Sequence, residues 1–236
     1  MPALCGQTWL GAKLGPGSLT LALALNPPAK LAAGWALMIA AMMAPLVAAP
    51  LRHLSDRSFA WRRWRAMLLF AAGYGAVWMA AGAALESLVL AARLAAATSL
   101  PLLGGATALA LIWQVSPAKQ RSLNGCHRRP EIAAFGAAAD RDALWFGLTH
   151  GASCVSACWA LMLLQLVIAH GHTVAMAAVA LFLFAERFER PAPLSWRWRG
   201  PGKAPRLAAA QLWITVVGPL VRSFTNATTP PTPSAQ

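Results

Sequence analysis

Long uncharged apolar runs alternate with connectors that carry most of the positive charge, and that alternation limits the fold more than anything else in the chain. The clearest run is 31–51, LAAGWALMIAAMMAPLVAAPL, which is long enough to cross ~30 Å of hydrocarbon. Others lie at about 66–86, 96–116, 143–168, 173–188 and 206–224. Arg52, Arg57, Arg62, Arg63 and Arg65 separate the first two. Lys119, Arg121, Arg128, Arg129 and Arg141 separate the third from the fourth. Arg187, Arg190, Arg197, Arg199, Lys203 and Arg206 separate the fifth from the sixth. The two intervening connectors hold only Arg93 between them. Cytoplasmic loops of membrane proteins accumulate Lys and Arg. The pattern therefore predicts an all-α, polytopic transmembrane helical bundle of about six spans, with connectors 52–65, 117–142 and 187–205 cytoplasmic.

Composition agrees. The chain is 58% hydrophobic and 11% charged, against about 25% charged in an average soluble domain. Its formal net charge of +13 would suggest nucleic acid in a soluble protein. Here the basic residues punctuate apolar spans, so topology explains them and no nucleic-acid partner is expected. Membrane lipid is the expected surrounding, in a cell inner (plasma) membrane. The helical domain is read as 31–224. Residues 1–30 form a lead-in at the interface, or a seventh span, because SLTLALAL (18–25) is too short to cross and follows Gly15, Pro16 and Gly17. The Pro/Thr-rich end, 225–236, is expected to be disordered.

The fourth span carries the chemistry. His150, Cys154, Cys158 and Met162 recur every four residues. On an α-helix they form a file, each about 6 Å above the last. Imidazole, thiolate and thioether are ligands that soft metal ions prefer, and thioethers favour Cu(I) over harder ions. Each residue also has a plainer role. A buried Cys packs as a small hydrophobe and Met fills apolar gaps. Two cysteines one turn apart, with a histidine one turn before, are harder to assign to packing, because an intramembrane histidine is costly unless partnered. Met38, Met42 and Met43 cluster in the first span, which runs antiparallel to the fourth, so Met42 is a candidate thioether ligand beside Met162. Cys126 and His127, in the basic connector before the fourth span, are either loop residues or the first ligands an ion meets from the cytoplasm. His170 and His172 stand at the opposite surface and read as a polar turn.

Several segments resemble a bacterial family of predicted metal-binding integral membrane proteins, some of whose members are labelled copper chaperones. HGASCVSACWALM (150–162) is similar to its most specific signature, and GWALMIAAMMAPL (34–46) to its first-helix motif. QVSPAKQ (114–120), CHRRP (126–130) and AERFER (185–190) resemble further elements, in the same order. Where the family often has Gly and a third Cys, this chain has Ser156 and Ala157, which leaves the file intact. The resemblance implies metal binding. Cu(I) is the expected ion, although Zn(II) also accepts His and Cys. The expected function is copper handling or delivery by His150, Cys154 and Cys158, with Trp159 shielding the site. A membrane or periplasmic protein would receive the ion. No ATP, phosphate or cofactor motif is present, so the chain is not expected to be an enzyme. Two alternatives stay open: a membrane thiol oxidoreductase cycling Cys154 and Cys158, and a structural subunit of a membrane complex.

Overall fold

The computed structural model describes residues 27–95, 99–168, 171–187, 189 and 191–198. The lead-in up to residue 26, the expected sixth span at 206–224 and the tail lie outside the described residues, as do Cys5 and His170.

The described residues form six helices and no strand. They are α1 (Pro28–Arg57), α2 (Arg63–Ala95), α3 (Ser99–Val115), α4 (Pro117–Cys126), α5 (Gly136–Val167) and α6 (His172–Glu186). Pro28 starts α1 at its first position, where a missing N–H costs nothing. α1, α2 and α5 are each long and apolar enough to cross a membrane. Leu37, Leu68, Leu88, Leu111, Ile112, Val174 and Leu181 all face outward. Soluble monomers rarely expose so much contiguous apolar surface.

The organising contact is between α2 and α5. At one end Arg62 and Arg65 bracket Asp140, at 2.5 and 2.7 Å. Further along, Phe70 meets Phe146 and Tyr74 meets His150, with ring centroids 5.1 and 6.1 Å apart. At the far end Arg93 donates to the Leu166 carbonyl at 3.1 Å. The two helices therefore run parallel along their whole length. That is the direction required of the second and fourth spans if the basic connectors share one side. A side chain at Gly147 would collide with the Phe70 carbonyl, so the absence of a Cβ there sets how closely the backbones approach. α1 ends near the start of α5, where the His53 and Phe146 rings stand 6.0 Å apart.

Two features depart from the sequence reading. The connector 117–142 is not all loop: it holds α4 and the first turns of α5. Ser116 and Pro117 break what would have been one helix into α3 and α4. Pro117 cannot donate a backbone hydrogen bond, and the Ser116 hydroxyl caps the new helix by accepting from the Lys119 N–H at 3.1 Å. The third and fifth spans are also short. α3 and α6, at 17 and 15 residues, reach only about 22–26 Å at 1.5 Å per residue. They stop beside the middle of α5. Trp113 near the end of α3 donates to the Ser156 carbonyl at 3.1 Å and packs on Trp159, centroids 5.1 Å apart.

Candidate metal centre

The ends of α3 and α6, all of α4 and the segment from Arg187 onward converge on α5 around Cys154. Gly125 of α4 rests on Ser153, where a Cβ would crowd the Ser153 hydroxyl. This close approach delivers the next residue, Cys126, to the side of Cys154, near enough for each thiol to act on the other. That neighbour and burial both push the Cys126 thiol up. From the other side the Tyr74 hydroxyl donates to the Cys154 sulfur at 3.3 Å. The Arg187 guanidinium donates to the same sulfur at 2.8 Å. Cys154 is 1% exposed, yet two donors from two different elements, Tyr74 and Arg187, point at its sulfur, and Cys126 stands beside it. Burial works against the charge of Arg187, but the neighbouring Cys154 and Cys126 sulfurs raise its pKa. The arrangement suits an anionic sulfur, the form that binds metal.

Arg187 is held from behind. Its carbonyl faces His127 Nε2 at 3.3 Å, while His127 Nδ1 faces the Leu123 carbonyl at 2.9 Å. Asn124 clamps Ala192 in both directions: its amide donates to the Ala192 carbonyl at 2.9 Å and its oxygen accepts from the Ala192 N–H at 3.2 Å. The Arg197 N–H donates to the Val115 carbonyl at 3.3 Å. The segment after α6 is thus strapped across α4 and the end of α3.

A second polar cluster sits just beyond. Lys119, fully buried, pairs with Glu186 at 2.7 Å, and the Gln114 side chain bridges them, donating to Glu186 and accepting from Lys119. A closed ion pair of this kind neutralises both charges locally.

The file on α5 does not converge as a unit. The Cys158 thiol turns along its own helix and donates to the Cys154 carbonyl at 3.0 Å. His150 sits in a box of Phe70, Tyr74 and Phe146, with its Nδ1 buried and lacking a hydrogen-bond partner. Among the described residues, no three His, Cys, Asp or Glu side chains are already gathered around one point. What the structure gathers instead is Cys126 with Cys154. His127 faces backbone carbonyls beside them. Met42 and Met162 are both buried in the same apolar cluster as Cys154 and Cys158, together with Met38 and Met43. The helix packed along α5 is α2, whereas α1 packs on α2 and α6. On the α2 side the thiols meet an aromatic wall: Tyr74, flanked by Phe70 and Trp78, reaches the Cys154 sulfur.

Tyr74, Arg187, Lys119, Gln114 and Glu186 were not singled out by sequence reasoning. Four of them lie in QVSPAKQ and AERFER, where the sequence assigns Lys119 and Arg187 to topology and the rest only to a family resemblance. Charged residues at the ends of apolar runs were the available signal.

Comparison with known proteins yields one family. No curated protein and no solved structure matches the chain. A family model, PpoB2, described as copper chaperone, matches residues 32–204. That range begins in α1, takes in α2 to α6 and includes every residue of the cluster described above. By this match over most of its length, the chain belongs to the copper chaperone family.

Proposed function

We propose that the protein is a multi-pass carrier of Cu(I) in the bacterial plasma membrane, and that Cys126 and Cys154 are its principal ligands. The observation that carries this reading is the pair of thiols, supplied by two separate helices and buried together, with further donors aimed at Cys154. Thiolates select Cu(I) over harder ions, and Cu(I) accepts few ligands. The ion would replace the thiol proton of Cys126. His150, with its unpartnered Nδ1 one helical turn from Cys154, is a third ligand within reach of a side-chain rotation. Cys158 and the thioethers of Met42 and Met162 line the onward path through the apolar cluster. Zn(II) would use the same nitrogen and sulfur ligands.

The basic connectors place the thiol pair on a route from the cytoplasm. Cys126, at the end of α4, is the first sulfur met from that side, and His127 adjoins it. The aromatic wall of α2 and the Trp113–Trp159 pair keep water from the sulfurs. The protein binds and passes on an ion and catalyses no reaction. Its partners are the ion, membrane lipid, and a membrane or periplasmic protein that receives the cargo.

The test is anaerobic loading of the purified protein with Cu(I). One equivalent should be retained by the native chain and lost in both Cys126→Ser and Cys154→Ser. Retention in either variant would move the site elsewhere. The thiol oxidoreductase reading gains a different pair, Cys126 with Cys154, since Cys158 faces a carbonyl. A reversible internal disulfide without metal retention would favour it.

A further inference from the structure

The residue that remains to be explained is Arg187. It comes from the strapped segment after α6, and its guanidinium touches the sulfur the proposed ion must reach. A cation on a metal-binding sulfur looks counterproductive, since it repels the incoming ion. The charge of the loaded site says otherwise. Two thiolates around a monovalent ion leave one net negative charge. In a buried site that charge is costly unless compensated. Other formal charges nearby are already settled. Lys119 and Glu186 neutralise each other. Arg129, which reaches the Cys126 carbonyl at 3.5 Å, is exposed and screened by solvent. Arg187 is left to balance the loaded pair, and its contact with Cys154 puts it in place to do so.

The same count turns against a divalent ion. Two thiolates around Zn(II) are already neutral, so the part-buried charge of Arg187 would then be uncompensated.

We infer that Arg187 determines the metal selectivity of the site, making the Cys126–Cys154 pair specific for soft monovalent cations, Cu(I) and Ag(I), over divalent ions of similar sulfur affinity. Asn124 and His127 are positioning residues in this scheme. They hold the backbone of the strap so that the guanidinium cannot withdraw. The inference rests on the proposed thiol pair being the copper site.

The experiment compares Ag(I), Cu(I), Zn(II) and Cd(II) binding to the full chain in detergent under anaerobic conditions. Cd(II) is the informative divalent probe, because it is more thiophilic than Zn(II) and carries the second charge; the comparison is of its ratio to Ag(I) in native and variant protein. The native protein should hold Ag(I) and Cu(I) more tightly than Cd(II), and the share of that ratio that depends on Arg187 should be at least tenfold, within what one charge at a few ångströms supplies. Arg187→Gln should shrink or invert that ratio by tenfold or more, weakening Cu(I) and strengthening Cd(II). Arg187→Lys, which keeps the charge, should preserve it. Equal weakening of all four ions in Arg187→Gln would make Arg187 merely structural and overturn the inference. So would a native protein that binds Cd(II) as tightly as Ag(I), a result that needs no variant to fold. Loss of the parent reading shows differently: the native chain would then bind Cu(I) without dependence on Cys126 or Cys154.

Discussion

α5 has two sides, and they are built on opposite principles. Toward α2 it is a seam of glycines and aromatic rings, continuous from Asp140 to Leu166. Toward α3, α4 and α6 it meets broken and shortened helices whose ends bring in Lys119, Glu186, Cys126 and Arg187. Regular helices satisfy their own backbone and leave side chains free to pack. Interrupted helices bring polar groups to membrane depth, where only other protein groups can satisfy them. The first side holds the protein together; the second is where its chemistry can happen.

That contrast breaks most readily at Glu186. Glu186→Ala leaves the fully buried Lys119 without its carboxylate and should cost about 3–5 kcal/mol. Thermal unfolding in detergent would read this as a large drop in midpoint, with loss of copper retention because α6 and its strap come loose. A midpoint within a degree of the native one would show that the polar side does not support the fold. The next test is on the seam. Gly147→Val forces a branched side chain into the Phe70 backbone and should cost about 1–3 kcal/mol. The folded fraction should still bind a full equivalent of Cu(I), because no group on the polar side changes.

Tyr74 belongs to both sides, since it stacks in the seam and reaches across to Cys154. Tyr74→Phe keeps the ring and removes one hydrogen bond worth about 1 kcal/mol. Copper affinity should fall several-fold with the melting midpoint nearly unchanged. If stability falls and affinity does not, Tyr74 is a seam residue only. The smallest effect is expected at Arg65, an exposed partner of Asp140 whose removal should cost at most about 1 kcal/mol, since Arg62 remains on the same carboxylate. Urea or thermal titration of Arg65→Ala should be close to native.

These two sides were not equally legible in the sequence. The long spans were, because crossing a bilayer imposes a one-dimensional requirement on length and apolarity that α1, α2 and α5 meet openly. The parallel course of α2 and α5 followed from the placement of arginines alone. The cysteine-bearing turn of α5 was legible as well, since its spacing is local. What could not be read was the meeting of Cys126 with Cys154. It depends on the Ser116–Pro117 break and on a short polar helix that the hydropathy pattern merges into a connector. Arg187 was read as a topological charge because it stands in a basic connector. Only the turn of the chain after α6 takes it back to the sulfur. Tyr74 lies in a run of alanines and glycines, and its role needs the parallel α2 alongside. In each case the missing information was tertiary.

The strap across α4 also has a consequence for the order in which the protein is made. Tyr74, Cys126 and Cys154 leave the ribosome before Arg187 does, and α6 must be made before the guanidinium can fold back. During synthesis there is an interval in which both sulfurs are present and their counter-charge is not. A nascent chain halted in that interval would have the same thiols without the charge that favours a monovalent ion, so on this account its preference among metals is the last property the protein acquires.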